Sequence, residues 1–425
     1  MVKLGNKNLL LERNFILYLL GRFVSLVGSG IQIVAIPLYI LDLTGSGTAM
    51  GIFSLLGILP RLAATPFAGV IGDRWNRKKI MVWTDFFRGF LILFLAFLAF
   101  NNVLNIYILF FVQALVAIFD GFFSAATGAM LPDIVDKENL IKANSYLGSA
   151  NSISMIIGPA LGGIIYGLKG IFLVFLINGI SFVASAISEI FIIYNFEFNK
   201  ETKLNIKVFF KEFRDGLVFI FKKYELRYLV SFAIIINFLL YPLYEVVEPY
   251  VLRQVVKFSA QQYGFIQTFF TVGMLISNLM IAVILSKVRK KLLIIMGMFS
   301  QTVMLIFFGI LIFPNILSLF NIWYFFIITG IIYFIIGFFN TFVNVPVSTN
   351  LQLMTPSNIR SRVFASLEVL FQLMIPVGSV LYGFLLDHIP SHIIFLSISL
   401  LTLVALLTFV IISPNEMFEP QVEEQ

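Results

Sequence analysis

Glu245 and Glu248 stand three positions apart inside an apolar run that covers about residues 228–252. At α-helical spacing the two carboxyls fall on one face, on neighbouring turns. Each ionised group near the middle of a bilayer costs about 2.5–3.5 kcal/mol, so burial and the like charge alongside both favour the protonated form. A carboxyl that gains or loses a proton as its surroundings open to one side or the other is what proton coupling needs. The plainer reading is that Glu248, followed by Pro249, marks the hydrated outer end of the run. Asp120, the lone acid in the middle of the run over 104–130, is the third proton candidate. Its plainer reading is a structural pairing with Arg22 or Arg61, because a buried charge without a partner is costly.

Other chemistries find little support. Cysteine is absent, which removes disulfides, thiolate nucleophiles and cysteine metal sites. His388 and His392 have i, i+4 spacing, but Pro390 between them breaks a shared helical face, so no metal site is expected. No G-x-x-x-x-G-K-[ST] run occurs, and ATP hydrolysis in this chain is not supported. With no catalytic constellation, neither an enzyme nor a cofactor is expected.

The elements that must carry these acids follow from composition. The chain of 425 residues is 60% hydrophobic and only 12% charged, with a mean hydropathy of +0.98. A membrane helix needs about 20 mainly apolar residues, and twelve runs qualify: about 14–41, 49–71, 80–100, 104–130, 143–167, 171–194, 228–252, 263–286, 291–312, 321–348, 363–386 and 391–413. The first is too long for a signal-peptide core and is read as an uncleaved helix. With the N-terminus inside, almost every lysine and arginine of the loops and linker is cytoplasmic, and only Lys169, Arg253 and Lys257 fall outside. That asymmetry predicts a multi-pass protein of the cell membrane with both termini cytoplasmic. It also assigns the net charge of +7 to topology and not to a nucleic-acid partner.

Residues 196–227 interrupt the runs once and divide them six and six, which predicts bundles over 1–195 and 228–425, the latter ending in a short acidic tail. Within the interruption Ile206, Phe209, Phe210, Phe213, Leu217, Ile220 and Phe221 recur at helical spacing opposite Lys207, Lys211, Arg214 and Lys222. This suits an amphipathic helix on the inner membrane surface. Polar stripes mark the first, fourth, seventh and tenth runs: Arg22, Ser25, Ser29 and Gln32; Gln113, Asp120, Ser124 and Thr127; Asn237, Tyr241, Tyr244, Glu245 and Glu248; Asn340, Thr341, Asn344 and Ser348. Helices sealed in lipid have little reason to carry such stripes. Arg61, after Pro60, reads as a charge partner or a kink-site residue.

Between the second and third runs lies a basic turn, residues 69–79, Gly-Val-Ile-Gly-Asp-Arg-Trp-Asn-Arg-Lys-Lys. Its cations hold the loop in the cytoplasm, and Gly69 and Gly72 are expected to allow the turn. The run closely resembles the G-x-x-x-D-R-x-x-R-[KR] loop of the major facilitator superfamily. Gly162-Gly-Ile-Ile-Tyr166-Gly167 and Gly378-Ser-Val-Leu-Tyr382-Gly383 echo each other half a chain apart, as internal repeats of secondary transporters do. The resemblance implies an all-α integral membrane fold of twelve transmembrane helices in two pseudo-symmetric six-helix bundles. It also implies that the four striped helices line a central substrate cavity, in agreement with the stripes themselves.

In that family the loop aspartate sits against the N-terminal end of helix 11, where a helix dipole favours negative charge. Carried over, Gly69, Asp73, Arg74, Arg77 and Lys78 form a conformational latch, joined in one cytoplasmic charge layer by Asp85, Arg88 and Glu368. Ser25-Leu-Val-Gly28 through Thr44-Gly-Ser46, Leu131-Pro-Asp133-Ile-Val-Asp136 through Ala143-Asn144-Ser145, and Ile359-Arg360-Ser-Arg362-Val-Phe364 resemble the drug and macrolide exporters and the related siderophore exporters. Many relatives carry an acid near Gly28 where this chain has Ser29, and a Pro-Ala-Arg-Gln-like stretch reads Ala125-Ala-Thr-Gly128 here. If relatives use that first-helix acid for protons, this chain must use another, which raises the weight on Glu245, Glu248 and Asp120. The expectation is a monomeric proton antiporter in the lipid bilayer that exports lipophilic or amphipathic small molecules. The alternatives are a dedicated exporter of a metabolite such as a siderophore, and, from another class, a membrane enzyme or receptor.

Overall fold

The structure is a computed structural model and describes residues 9–194, 206–285, 288–357 and 359–418, with no strand among them. Before the long interruption the helices are α1 (Arg13–Thr44), α2 (Gly47–Arg74), α3 (Arg77–Phe100), α4 (Ile106–Ile134) and α5 (Leu140–Ile190), and α6 (Ile206–Lys222) lies within it. After it come α7 (Tyr224–Pro242), α8 (Ala260–Met280), α9 (Lys290–Leu311), α10 (Ile322–Met354), α11 (Arg360–Leu386) and α12 (Ser391–Ile412). Their starts follow local chemistry. The Asn76 and Asn105 side chains accept from the Lys79 and Ile108 N–H groups at 3.2 and 2.9 Å, and Ser259 with Gln262 closes a reciprocal cap on α8. Bulky apolar side chains such as Phe97, Phe111, Val283 and Ile411 stand exposed, while Ser277, Thr329, Ser366 and Ser399 are wholly buried. That inversion suits lipid as the surrounding solvent.

Among the described residues eleven helices are long and apolar enough to cross a membrane, and one of them, α5, is long enough for two crossings. Straight, its 51 residues would extend about 77 Å, far beyond a hydrocarbon core of about 30 Å. Gly170 breaks it with φ 69° and ψ −171°, a conformation essentially confined to glycine. On α1, Gly30 packs against Gly158 of the first arm and Gly28 against Asn178 and Ser181 of the second. Both arms reach the same level of α1 because the chain reverses at Gly170, and the spans number twelve.

The basic turn is tighter than its glycines suggested. α2 stays helical through Gly69 and Gly72 to Arg74, and the reversal is left to Trp75 and Asn76, with Asn76 capping α3. Two compact units emerge, one from the described parts of 1–36 and 59–206, the other from 37–58 and 207–425. The C-terminal end of α1 and the first part of α2 therefore group with the second half of the sequence, and so does α6. In α6, Ile220 is buried in a cluster with Leu226, Val363 and Leu367, and Ser366 donates to the Phe213 carbonyl at 3.0 Å. The side chains of residues 206–210 lie outside the described residues.

Candidate proton and substrate site

In the first unit the ionisable groups gather around Arg88, three turns into α3. Its guanidinium bonds Asp85 on the preceding turn and Asp120 on α4. The ring centroids of Phe123 and Phe182 lie 4.1 and 4.4 Å from it, so the cation is enclosed on several sides. Asp120 thus finds its cation in Arg88, and not in Arg22 or Arg61 as the sequence reading offered. Arg22 instead stacks over Phe123 at 5.2 Å.

The single cytoplasmic layer expected of Asp73, Arg77, Asp85 and Arg88 also divides. Arg77 pairs with Asp133 at 2.7 Å and donates to the Ala129 carbonyl at 3.1 Å. Tyr194 donates to the same Asp133 at 2.9 Å, and burial together with that carboxylate pushes its phenol up to about 12. Arg77 and Arg88 are eleven residues apart, about 16 Å along a helix, too far for one shell of partners. The side chains of Gly69, Asp73 and Arg74 lie outside the described residues, and Lys78 is half-buried. Glu368 accepts from Gln372 at 2.9 Å along its own helix.

In the second unit, α7 does not continue as a regular helix. Leu243–Val247 and Val251–Val255 are π-helical turns on either side of Glu248–Tyr250. Proline has no N–H, so Pro249 cannot donate to the Glu245 carbonyl four residues back. The Glu248 N–H instead reaches Leu243, five residues back. The wider turn rotates the two carboxyls apart, and they do not share the face that α-helical spacing implied. Glu245 accepts from Ser54 of α2 at 2.7 Å and from Ser379 of α11 at 3.3 Å, and Ser54 also bonds Ser379 at 3.1 Å. Glu248 is 1% exposed and accepts from Gln267 of α8 at 2.7 Å, with Tyr244, Tyr263 and Tyr333 around it. Neither glutamate has an ion-pair partner among the described residues. Glu248 is interior, not a hydrated helix end.

The stripes resolve unequally. Gln32 accepts from Asn178, and Ser25, 4% exposed, returns its hydroxyl to the Arg22 carbonyl at 3.0 Å. Asn237 bonds the Ala233 carbonyl at 2.8 Å. Asn344 donates to Asn340 at 2.6 Å, and Asn340 to Gln301 of α9 at 3.4 Å, a polar chain running from an exposed to a buried position. Tyr241 is about half exposed, while Ser29 and Gln113 are half-buried. His388 and His392 lie against different rings, Phe384 at 4.3 Å and Phe313 at 4.7 Å.

Three groups escaped the sequence reading. Glu189, 1% exposed in the second arm of α5, continues a polar stripe of Asn178, Ser181, Ser185 and Ser188 that could have revealed it. Arg253 grips Asp42 through two nitrogens at 2.7 and 2.8 Å. Asp387, at the end of α11, accepts from the Ser46 hydroxyl and the Gly47 and Thr48 N–H groups at 2.7, 2.6 and 3.1 Å, capping α2.

The family model of the Major Facilitator Superfamily matches residues 18–247 and 230–424. Macrolide efflux protein A of Streptococcus pyogenes is 27% identical over 297 residues, covering 68% of this chain and 71% of that protein. Multidrug resistance protein 2 of Bacillus subtilis is 31% identical over 179 residues, 42% of this chain and 43% of that one. Among solved structures, nucleoside transporter NupG superposes with a TM-score of 0.73 at 11% identity, over 95% of this chain and 99% of that one, a likeness of fold alone.

Proposed function

Because the chain belongs to the major facilitator superfamily, and is thereby a membrane transporter and not an enzyme, we propose that it exports lipophilic or amphipathic small molecules in exchange for protons by alternating access. It acts as a monomer in the cell membrane, with both termini cytoplasmic. The similarity to macrolide and multidrug efflux proteins supports the direction and the substrate class. Glu245 carries the proton reading: a membrane carboxyl held by two hydroxyls and by no cation is neutralised most simply by a proton. Glu248, also without a cation, and Asp120, on the open side of Arg88, are the further proton candidates. Arg22, Ser25, Ser29, Gln32, Gln113, Asn237, Tyr241, Tyr244, Asn340 and Asn344 are assigned to the substrate path. The basic turn with Gly69, Asp73, Arg74, Arg77 and Lys78 is assigned to the conformational latch.

The test is efflux of a dye or a macrolide from loaded cells, or its uptake into inverted vesicles, with and without a proton gradient. The intact protein is compared with Glu245→Gln plus Glu248→Gln, after both preparations are shown to melt alike. Gradient-dependent transport that the double change abolishes supports the reading. Gradient-dependent transport that survives it moves the coupling role to Asp120. Failure to move any lipophilic probe sinks the substrate class and favours a dedicated metabolite exporter.

A further inference from the structure

The cluster around Arg88 contains more acid than base. Arg22 and Arg88 supply two positive charges; Asp85, Asp120 and Glu189 supply three carboxyls. Arg88 directs its two terminal nitrogens to Asp120 and Asp85, and its buried Nε has no partner among the described residues. Glu189 therefore sits within the field of both arginines yet bonds neither, and both its oxygens are buried without a hydrogen-bond partner. Ser185, one turn earlier and 0% exposed, has an equally unpartnered hydroxyl, as has the Oδ2 of buried Asp85. An ionised Glu189 would be a buried carboxylate with neither an ion pair nor a hydrogen bond among the described residues, since Asp85 and the partly exposed Asp120 hold Arg88. Such a charge is removed by taking up a cation or by protonation.

We propose that the first unit binds one proton, held on Glu189 beside Ser185 and within the field of Arg22 and Arg88. A metal ion fits poorly. Hard cations ask for about six or more oxygen ligands, whereas two guanidinium groups approach this carboxyl and repel a second cation. A proton needs only one carboxyl oxygen, and the Ser185 oxygen beside it can accept the resulting O–H. The groups facing Glu189 are Tyr18 and Arg22 from α1 and Arg88 from α3, with Asp85 and Asp120 reached through Arg88. Tyr18 is turned away, its hydroxyl donating to the Thr127 carbonyl at 3.1 Å. The site lies wholly inside one unit, so it does not depend on whether transport itself exchanges protons.

Infrared difference spectroscopy on the purified full chain in detergent at neutral pH tests the assignment, because a protonated carboxyl has a C=O stretch that a carboxylate lacks. Glu189→Gln is expected to remove one such band. Asp120→Asn is expected to remove the same band without touching Glu189, since two carboxylates then balance two arginines and the proton is no longer needed. Should Glu189→Gln fail to fold, Asp120→Asn carries the test alone. An unchanged carboxylic-acid signal in the folded variants would overturn the proposal. So would sodium ions raising the melting temperature of the wild type but not of Glu189→Gln, which would assign the site to a metal cation.

Discussion

Replacing Gly51 with alanine is expected to pull apart the hydroxyl pair that holds Glu245. A Cβ at position 51 would lie 2.3 Å from the Ser379 carbonyl oxygen and 2.9 Å from both the Ser379 carbonyl carbon and the Val380 Cα. All three are backbone atoms of α11, so no side-chain rotation relieves the overlap. Ordinary contact begins at 3.4 Å, and the difference from 2.3 Å requires α2 to retreat by about 1.1 Å locally. Ser54 is three residues further along the same helix. A retreat of that size stretches its 2.7 Å bond to Glu245 and its 3.1 Å bond to Ser379 beyond hydrogen-bond length.

Overpacking of this kind costs about 1–3 kcal/mol, and a lost hydrogen bond to a neutral carboxyl about 0.5–1.5 kcal/mol more. Together they imply about 3 kcal/mol, or about 6–12 °C of melting temperature at ~2–4 °C per kcal/mol. Thermal unfolding in detergent reads it directly, and Gly128→Ala on α4 is the control. No atom lies within 4 Å of a Cβ there, so that variant should match or slightly exceed the wild type through helix propensity. Equal melting of the two alanine variants would refute the close α2–α11 approach and the hydroxyl clamp that depends on it.

Three further changes have definite outcomes. Burial works to raise the Asp387 carboxyl, but its bonds from Thr48, Ser46 and the Gly47 N–H outweigh that and hold it below the usual range. A depressed carboxyl stabilises fully above the unfolded value near pH 4 and less as the pH falls through the folded value. Asp387→Asn should therefore lower the melting temperature at pH 7, through the loss of a negative charge worth about 0.3–1 kcal/mol at a helix N-terminus, with the gap from wild type closing towards pH 3. Gly170→Ala places a side chain at φ 69° and ψ −171°, which should cost about 1–3 kcal/mol and show as a smaller monodisperse fraction after mild heating. Arg88→Met strands the wholly buried Asp85 and should cost about 3–5 kcal/mol; adding Asp85→Asn and Asp120→Asn should restore most of the loss in a melting curve.

The spans and their number were legible because a bilayer reads about twenty residues at once, so errors at single positions average out. Side-chain partners were not, and each miss has its own cause. The shared face expected of Glu245 and Glu248 ignored that Pro249 denies Glu245's carbonyl its donor, a signal present in the sequence. Asp85 and Arg88 were placed in the cytoplasmic layer by nearness in sequence to Arg77, although two to three turns of rise bring them level with Asp120. Glu189 lay in view at the end of a stripe of small polar residues. The cap on α2 was hidden, since its carboxylate comes from 341 residues away and nothing local in Ser46-Gly-Thr requires it.

The two units treat their buried acids by opposite means, and that difference bears on where protons can matter. In the first, two of the three carboxyls of the Arg88 cluster are ion-paired with that arginine, a cation that cannot lose its proton. The third, Glu189, has no ion pair among the described residues. In the second, Glu245 and Glu248 have hydroxyl and amide donors and no cation among the described residues. A neutral donor stabilises a carboxylate by less than an ion pair does, which leaves the energies of the charged and neutral forms closer together. Glu245 is half-buried while Glu248 is sealed, so Glu245 is the more accessible of the two. On the proposed reading, a proton that must come and go during transport is therefore better placed on Glu245 than on any acid that Arg88 already holds.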